Sequence, residues 1–163
     1  MFRALVDTLR FTERPIVAPF TFRYLPAGLH LSGARITFRL PREDSGQSTW
    51  FVSLVFDYGT GATATPSHDL TVAVVGVLDR SSPRALDGPT RVLAGRDVTV
   101  RRLPEQRATV VDVAGVVGQG PAFLIGDQAR DRVTDDEVGR MLTGLTVAPD
   151  EDDQAHWLPL RLP

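Results

Sequence analysis

Apolar positions change their spacing along this chain, and each change marks an element. Phe2, Leu5, Val6 and Leu9 recur at i, i+3, i+4 and i+7, which predicts an amphipathic helix over 2–10. It ends before Thr12-Glu13-Arg14-Pro15, because a residue that precedes proline is held out of the α region. From Ala18 the period becomes two: Phe20, Phe22 and Tyr24 alternate with Thr21 and Arg23. Leu25-Pro26-Ala27-Gly28-Leu29 then reads as a turn. Ile36, Phe38 and Leu40 alternate with Arg35, Thr37 and Arg39. Over 49–58, Trp50, Val52, Leu54, Phe56 and Tyr58 share one face, and Phe51 and Val55 on the other predict a central strand. The 36–40 and 52–56 segments are expected to be antiparallel neighbours that share a core.

Residues 70–78 read as a buried strand, followed by shorter strands over 90–93, 98–103, 108–113 and 122–125. Polar loops separate them at 41–47, 59–67 and 81–89. Ala94-Gly95-Arg96-Asp97 predicts a hairpin turn, with Gly95 free to take a positive φ. A second helix is expected from Asp135. Thr134 is its N-cap, Glu137 completes a capping-box spacing, and Val138, Met141, Leu142 and Leu145 form its apolar face. Strands in series without intervening helices imply an antiparallel α+β fold. The expectation is a curved, mostly antiparallel sheet of about seven strands, with an N-terminal and a C-terminal helix packed on one face. A β-sandwich or barrel with peripheral helices is the alternative.

The two ends echo each other. Phe2, Leu5, Val6, Leu9 and Phe11 have the spacing of Val138, Met141, Leu142, Leu145 and Val147. Each series leads to an aromatic-Leu-Pro triplet, Tyr24-Leu25-Pro26 or Trp157-Leu158-Pro159. The whole chain, 1–163, is expected to be one domain in which 1–26 echoes 137–159. If the echo is a repeat, Leu5 and Met141 are both buried, and Tyr24 and Trp157 both cap the seam between helix and sheet.

Composition mostly removes options. All 18 basic residues are arginine, lysine and asparagine are absent, and isoleucine occurs three times, which is the codon signature of a GC-rich genome. Without lysine or cysteine there is no Schiff base, P-loop lysine, thiol nucleophile, disulfide or cysteine zinc site. A net charge of −2 argues against general nucleic-acid binding. The longest mostly apolar run, 70–78, is far too short to span a bilayer as a helix, and the first twenty residues carry too many charges for a signal peptide. As it stands the chain reads as cytoplasmic, or as the extracytoplasmic fragment of a longer protein.

No constellation of residues declares a reaction. Ser67, His68 and Asp69 are sequence neighbours on an extended stretch and point apart. Gly59-Thr60-Gly61 does not open a helix, so the dinucleotide reading fails its context. Asp127, Asp131, Asp135 and Asp136 lack the EF-hand order and read as capping and solvated loop. The acidic stretch 150–153 likewise reads as a solvated end. No cofactor and no metal are expected. Arg101 and Arg102, beside Arg96 and Arg107, read as a local basic patch on short strands, able to meet an acidic partner.

The runs LVDTLRFTERPIVAPFTFRYLPAGL (5–29) and VTDDEVGRMLTGLTV (133–147) resemble extracytoplasmic domains of uncharacterised membrane-anchored actinobacterial proteins. Those carry a Tyr/Trp-Leu-Pro-x-Gly-Leu strand end, which Tyr24 to Leu29 matches in full, and a closing Leu-rich helix. Trp157-Leu158-Pro159-Leu160-Arg161 departs from it, with arginine in place of the glycine. Some are distantly similar to the lipoprotein-carrier and sigma-regulator sheet families. The resemblance implies a curved antiparallel sheet backed by helices, in a non-catalytic binding or sensory module of an envelope or regulatory protein. A second reading is a carrier whose concave sheet, lined by Phe22, Phe38, Trp50 and Phe56, holds an apolar ligand. A third is an enzyme without a recognisable motif. The expected partner is a protein or an apolar small molecule, with no nucleic acid and no membrane insertion by this chain.

Overall fold

A computed structural model describes residues 16–39, 49–59, 69–77, 88–151, 153–160 and 163. The expected helix over 2–10 lies outside the described residues, as do Leu40, Leu78, Arg161, the 41–47 loop and most of the 59–67 and 81–89 loops. The described residues hold eleven strands: β1 (Val17–Ala18), β2 (Phe20–Phe22), β3 (His30–Arg39), β4 (Thr49–Asp57), β5 (Leu70–Val77), β6 (Thr90–Leu93), β7 (Arg96–Leu103), β8 (Ala108–Val117), β9 (Gly120–Gly126), β10 (Leu145–Val147) and β11 (Leu158–Pro159). One α-helix, α1 (Asp135–Thr143), stands among the described residues, so the expected pair of helices on one face is not found there.

Seven strands form one antiparallel sheet in the order β3-β4-β5-β9-β8-β7-β6. Two meanders meet at its centre, where β5 pairs with β9. The expected neighbours are neighbours: Ile36 pairs with Val52 and Phe38 with Trp50 in the backbone ladder. Ile36 is only half-buried, because β3 is an edge strand. β6 and β7 are joined through Ala94 and Gly95, both at positive φ, as a two-residue hairpin turn that suits strand twist.

Period two decides what is buried. Trp50, Val52, Leu54 and Phe56 on β4, Leu70, Val72 and Val74 on β5, and Phe123 and Ile125 on β9 share the inner face and are excluded from water. Val111 and Val113 on β8 and Val98 and Val100 on β7 continue it. Burying such a series supplies most of the driving force, at about 25 cal/mol per Å² of apolar surface.

A second layer covers this face. β1 and β2 run antiparallel to the C-terminal strands, β2 against β10 and β1 against β11. Bridges from Ala148 N to Pro19 O (2.8 Å) and from Leu160 N to Ile16 O (2.7 Å) extend the ribbon. Residues 149–157 make an excursion between the two halves. Phe20, Phe22, Trp157 and the helical Val138, Met141 and Leu142 join the sheet residues in one core. Among the described residues the cover mixes short strand pairs with one helix, and is neither a layer of two helices nor the second sheet of a sandwich.

Thr134 caps α1: its Oγ1 accepts the Glu137 N–H at 3.3 Å. The Glu137 carboxylate turns instead to Tyr24, whose hydroxyl donates to it. The ends of the chain therefore meet by direct pairing. Met141 is fully buried, while Leu5 lies outside the described residues. Tyr24 and Trp157 occupy different settings: Tyr24 bonds the helix at the surface, and Trp157 sits in the core.

Candidate functional site

Of the four aromatic residues expected to line a concave ligand site, Phe22, Trp50 and Phe56 are packed against their neighbours, and the side chain of Phe38 lies outside the described residues. Trp50, Phe22 and Phe56 are at most 2 % exposed. Phe22 meets Phe20 and Phe56 edge-on at centroid distances of 5.6 and 6.5 Å. Trp50 meets Trp157 edge-on at 5.9 Å. Such pairs add to the core beyond their buried area. Phe22 and Trp157 come from the covering layer, so it is this layer that fills the space above the sheet.

The basic residues divide. Arg101 and Arg102 are adjacent on β7 and fall on opposite faces of the sheet, as strand geometry requires. Arg96 lies at the far end of β7, in the hairpin turn. Arg96 therefore stands apart, while Arg101 and Arg102 reach one groove from the two sides of β7. Arg101 pairs with Asp112 through Nη2 at 3.0 Å, and Asp112 is 8 % exposed, so this ion pair is largely withdrawn from water. Its Nε is buried with no hydrogen-bond partner among the described residues. Breaking such a pair leaves an uncompensated charge.

Arg102 enters a different cluster. It holds Asp127 with a two-pronged contact, Nη1 to Oδ1 and Nη2 to Oδ2, the latter at 2.6 Å. Asp127 opens a single 3-10 turn after β9, and its N–H bonds the Arg107 carbonyl at 2.9 Å. That bond ties the exit of β9 to the β7–β8 connection. Arg107 sits there at φ 50, closing the 104–106 turn. Arg130 donates to Thr109 Oγ1 at 3.0 Å, and Arg102 approaches the same hydroxyl at 3.5 Å. Thr109 is 6 % exposed, so its hydroxyl is a fixed point on the floor. The hydrogen bond from Arg102 holds the Asp127 carboxyl below its ordinary value, and the charges of Arg107 and Arg130 add to the effect. Arg102 is raised in return.

A groove of about 600 Å³ runs past these groups. Four arginines line it, Arg91, Arg101, Arg102 and Arg130, with Thr109 between them and Pro89, Val100 and Leu103 as an apolar wall. Arg91 is tied to Asp135 of the helix at 2.6 Å. Three of the four arginines have a carboxylate partner, Asp135 for Arg91, Asp112 for Arg101 and Asp127 for Arg102, while Arg130 bonds the Thr109 hydroxyl. The sequence marked Arg101 and Arg102. It gave no sign of Arg130 or Thr109, which reach the site through the turn after β9 and through strand pairing.

The remaining candidates are occupied structurally. Asp69 Oδ2 accepts the Tyr58 N–H at 2.8 Å, which fixes the end of β4 against the start of β5. Ser67 and His68 lie outside the described residues. The calcium reading of Asp127 and Asp135 dissolves, because each is paired with an arginine. In the acidic stretch, Glu151 is not a solvated residue: both its carboxylate oxygens accept the Gly118 N–H at 3.1 Å, clamping the β8–β9 turn. Among the described residues one group has metal-ligand types within reach, Asp150, Asp153 and His156. There Asp153 already accepts from Ala155 N and from His156 Nδ1, as the cap of a 3-10 turn. No helix among the described residues is long and apolar enough to cross a membrane.

The chain matches no protein-family model, no curated protein and no solved structure.

Proposed function

We propose that this protein is a non-catalytic binding module that docks an acidic segment of a protein partner in its arginine-lined groove. The observation that carries the reading is a groove lined by Arg91, Arg101, Arg102 and Arg130, with no carboxylate in that lining among the described residues, on a chain whose net charge is −2. A local positive site steers an acidic partner toward the groove. The arginines are held at fixed positions by Thr109, Asp112, Asp127 and Asp135, so little side-chain freedom is lost on binding. An apolar carrier would need Trp50, Phe22 and Phe56 to separate from Trp157 and Phe20, at the cost of the core. The resemblance to actinobacterial envelope domains supports placing the module in an envelope or regulatory protein.

The test is a fluorescence-anisotropy titration with labelled oligoglutamate and oligolysine peptides at low and physiological salt. The reading expects oligoglutamate to bind, salt to weaken it, and a double Arg91→Gln, Arg130→Gln variant to lose it. Equal binding of the two peptides, or no binding of oligoglutamate, would overturn it.

A further inference from the structure

The two edges of the sheet are not guarded alike. β6 closes one side with four residues and has α1 beside it, joined by the Arg91–Asp135 pair. β3 closes the other with ten, and none of them is proline, lysine or an acid. Its one irregularity is a bulge at Ser32, after which the register with β4 is unbroken from Gly33 to Arg39. Among the described residues no backbone hydrogen bond joins β3 to anything but β4. Every second N–H and C=O of 33–39 therefore faces outward, ready to pair with a further strand. The covering layer also stops short of this edge. Ala34 and Ile36 continue the rows of Leu54 and Val52, which are fully buried, yet Ala34 is exposed and Ile36 half-buried. On the other face Arg35 stands exposed opposite Ser53 and bonds no carboxylate among the described residues.

We propose that the edge of β3 receives an extended segment of a protein partner in which acidic and apolar residues alternate. The backbone of that segment continues the sheet, its apolar side chains cover Ala34 and Ile36, and its carboxylates flank Arg35 on the opposite face. Charge also selects against the nearest competitor, a second copy of this chain. Pairing β3 with β3 about Arg35 or Ile36 puts the two Arg35 residues on one face as neighbours, and β3 has no acid to separate them. The surface is independent of the arginine-lined groove, which is formed at β6 and β7 on the other side of the sheet.

The experiment titrates the whole chain with blocked peptides: one of alternating Glu and Val, one of alternating Lys and Val, and one of the first composition with its Glu and Val in separate blocks. Backbone amide shifts give the affinities, and hydrogen exchange reports which N–H groups become protected. The Glu-Val peptide should bind and slow exchange at alternate N–H groups between Gly33 and Arg39. The Lys-Val and block peptides should bind at least about fivefold more weakly, as cross-strand charge and side-chain pairs require. Arg35→Glu should reverse the order of the two alternating peptides, with Val72 and Phe123 of the central strands as protected as before. If that variant disturbs the fold, Arg35→Gln decides, since it should level the two peptides. The double Arg91→Gln, Arg130→Gln variant should bind the Glu-Val peptide as the wild type does. Equal binding of all three peptides, no new protection in β3, or an unchanged order in the Arg35 variants would overturn the proposal. So would protection of 33–39 that rises with protein concentration alone, which makes the occupant a second copy. Loss of the Glu-Val peptide in the double variant would overturn it too, by assigning the peptide to the groove, and leaves the docking reading standing. Oligoglutamate has no apolar row, so its binding tests the groove by itself.

Discussion

The indole of Trp50 occupies the space that a side chain on Gly76 would fill. The two are direct partners across β4 and β5, and a Cβ at Gly76 would lie 1.8 Å from Trp50 Cε2. Glycine at 76 is thus a packing requirement, with no positive φ involved. The ring laid over Gly76 reaches Trp157 in the covering layer, so one missing side chain on β5 fixes how the second layer seats.

Gly76→Ala should accordingly destabilise the fold by about 1–3 kcal/mol, the usual range for overpacking a filled core. Chemical denaturation measures it. Adding Trp50→Phe should recover part of the loss, since the smaller ring vacates the clash. A Gly76→Ala variant as stable as the wild type would show that the indole does not lie there.

Ala94 presents the opposite case, a side chain where glycine or asparagine is favoured. Its φ of 51 puts an ordinary L-residue in the left-handed region. That region costs roughly 1–2 kcal/mol for residues with a Cβ. Ala94→Asn, giving the Asn-Gly pair that two-residue hairpins prefer, should stabilise by about 0.5–1 kcal/mol. A rise in the denaturation midpoint at unchanged slope is the expected result. A fall would mean that the alanine methyl at 94 contributes more than the backbone strain costs.

Thr134→Ala removes the one side-chain acceptor at the start of α1 and should cost about 1 kcal/mol. Serine at the same position should restore most of it. If alanine and threonine give the same stability, the acids of the first turn, Asp135 and Asp136, carry the helix end by themselves.

Much of this architecture is legible where one face is wet. Val52, Leu54 and Phe56 alternate with half-buried neighbours, and the strand, its register partner Ile36 and its burial follow from that alternation. Thr134 and Glu137 mark a helix start because the capping geometry needs that spacing. Legibility fails in three places for physical reasons. Residues 108–113 are buried on both faces, so the pattern that would tell inner from outer residues is lost, and Asp112 looks like any surface acid. Strands β1, β2, β10 and β11 are two or three residues long, too short to show a period, and exist only because the two ends pair. The run of Arg101 and Arg102 reads as one patch in sequence and divides into two ion pairs, with Asp112 and with Asp127, beside one groove. Its true companions, Arg130 and Thr109, are contributed by later segments.

Asp127 gives the fold a predictable acid limb. Its folded value lies below the ordinary one because Arg102 holds the ionised form. A depressed carboxylate contributes stability that is fully present above the unfolded value, about pH 4, and drains away as pH falls toward the folded value. Asp127→Asn should therefore differ from the wild type at pH 7, and the difference should shrink below about pH 4. Denaturant midpoints at neutral and acid pH measure it. A difference that stays constant down to pH 2 would mean that the Arg102 contact does not discriminate the charged carboxyl. The carboxyl is solvent-accessible, so added salt should reduce the effect.

The last prediction concerns Trp157, which joins the C-terminal ribbon to the sheet. Its ring is 5 % exposed and meets Trp50, and its Nε1–H donates to the Glu151 carbonyl at 2.9 Å. Glu151 in turn clamps Gly118 through its carboxylate. One side chain thus connects the core, the 149–157 excursion and the β8–β9 turn. Trp157→Ala should cost about 3–5 kcal/mol, as large-to-small changes of buried aromatics do. Trp157→Phe keeps the edge-on contact but loses the indole donor, so it should cost less while freeing the excursion. Hydrogen exchange separates the two effects. In the phenylalanine variant the N–H groups of His156 and Gly118 should exchange faster, and those of Val52 and Val72 in the sheet should keep their protection. In the alanine variant protection of Ala148 and Leu160 should fall as well, because their bonds to Pro19 and Ile16 depend on the seated ribbon. Unchanged exchange at Gly118 and Ala148 in both variants would show that the ribbon is held by its backbone pairing with β1 and β2, and that the indole merely fills space.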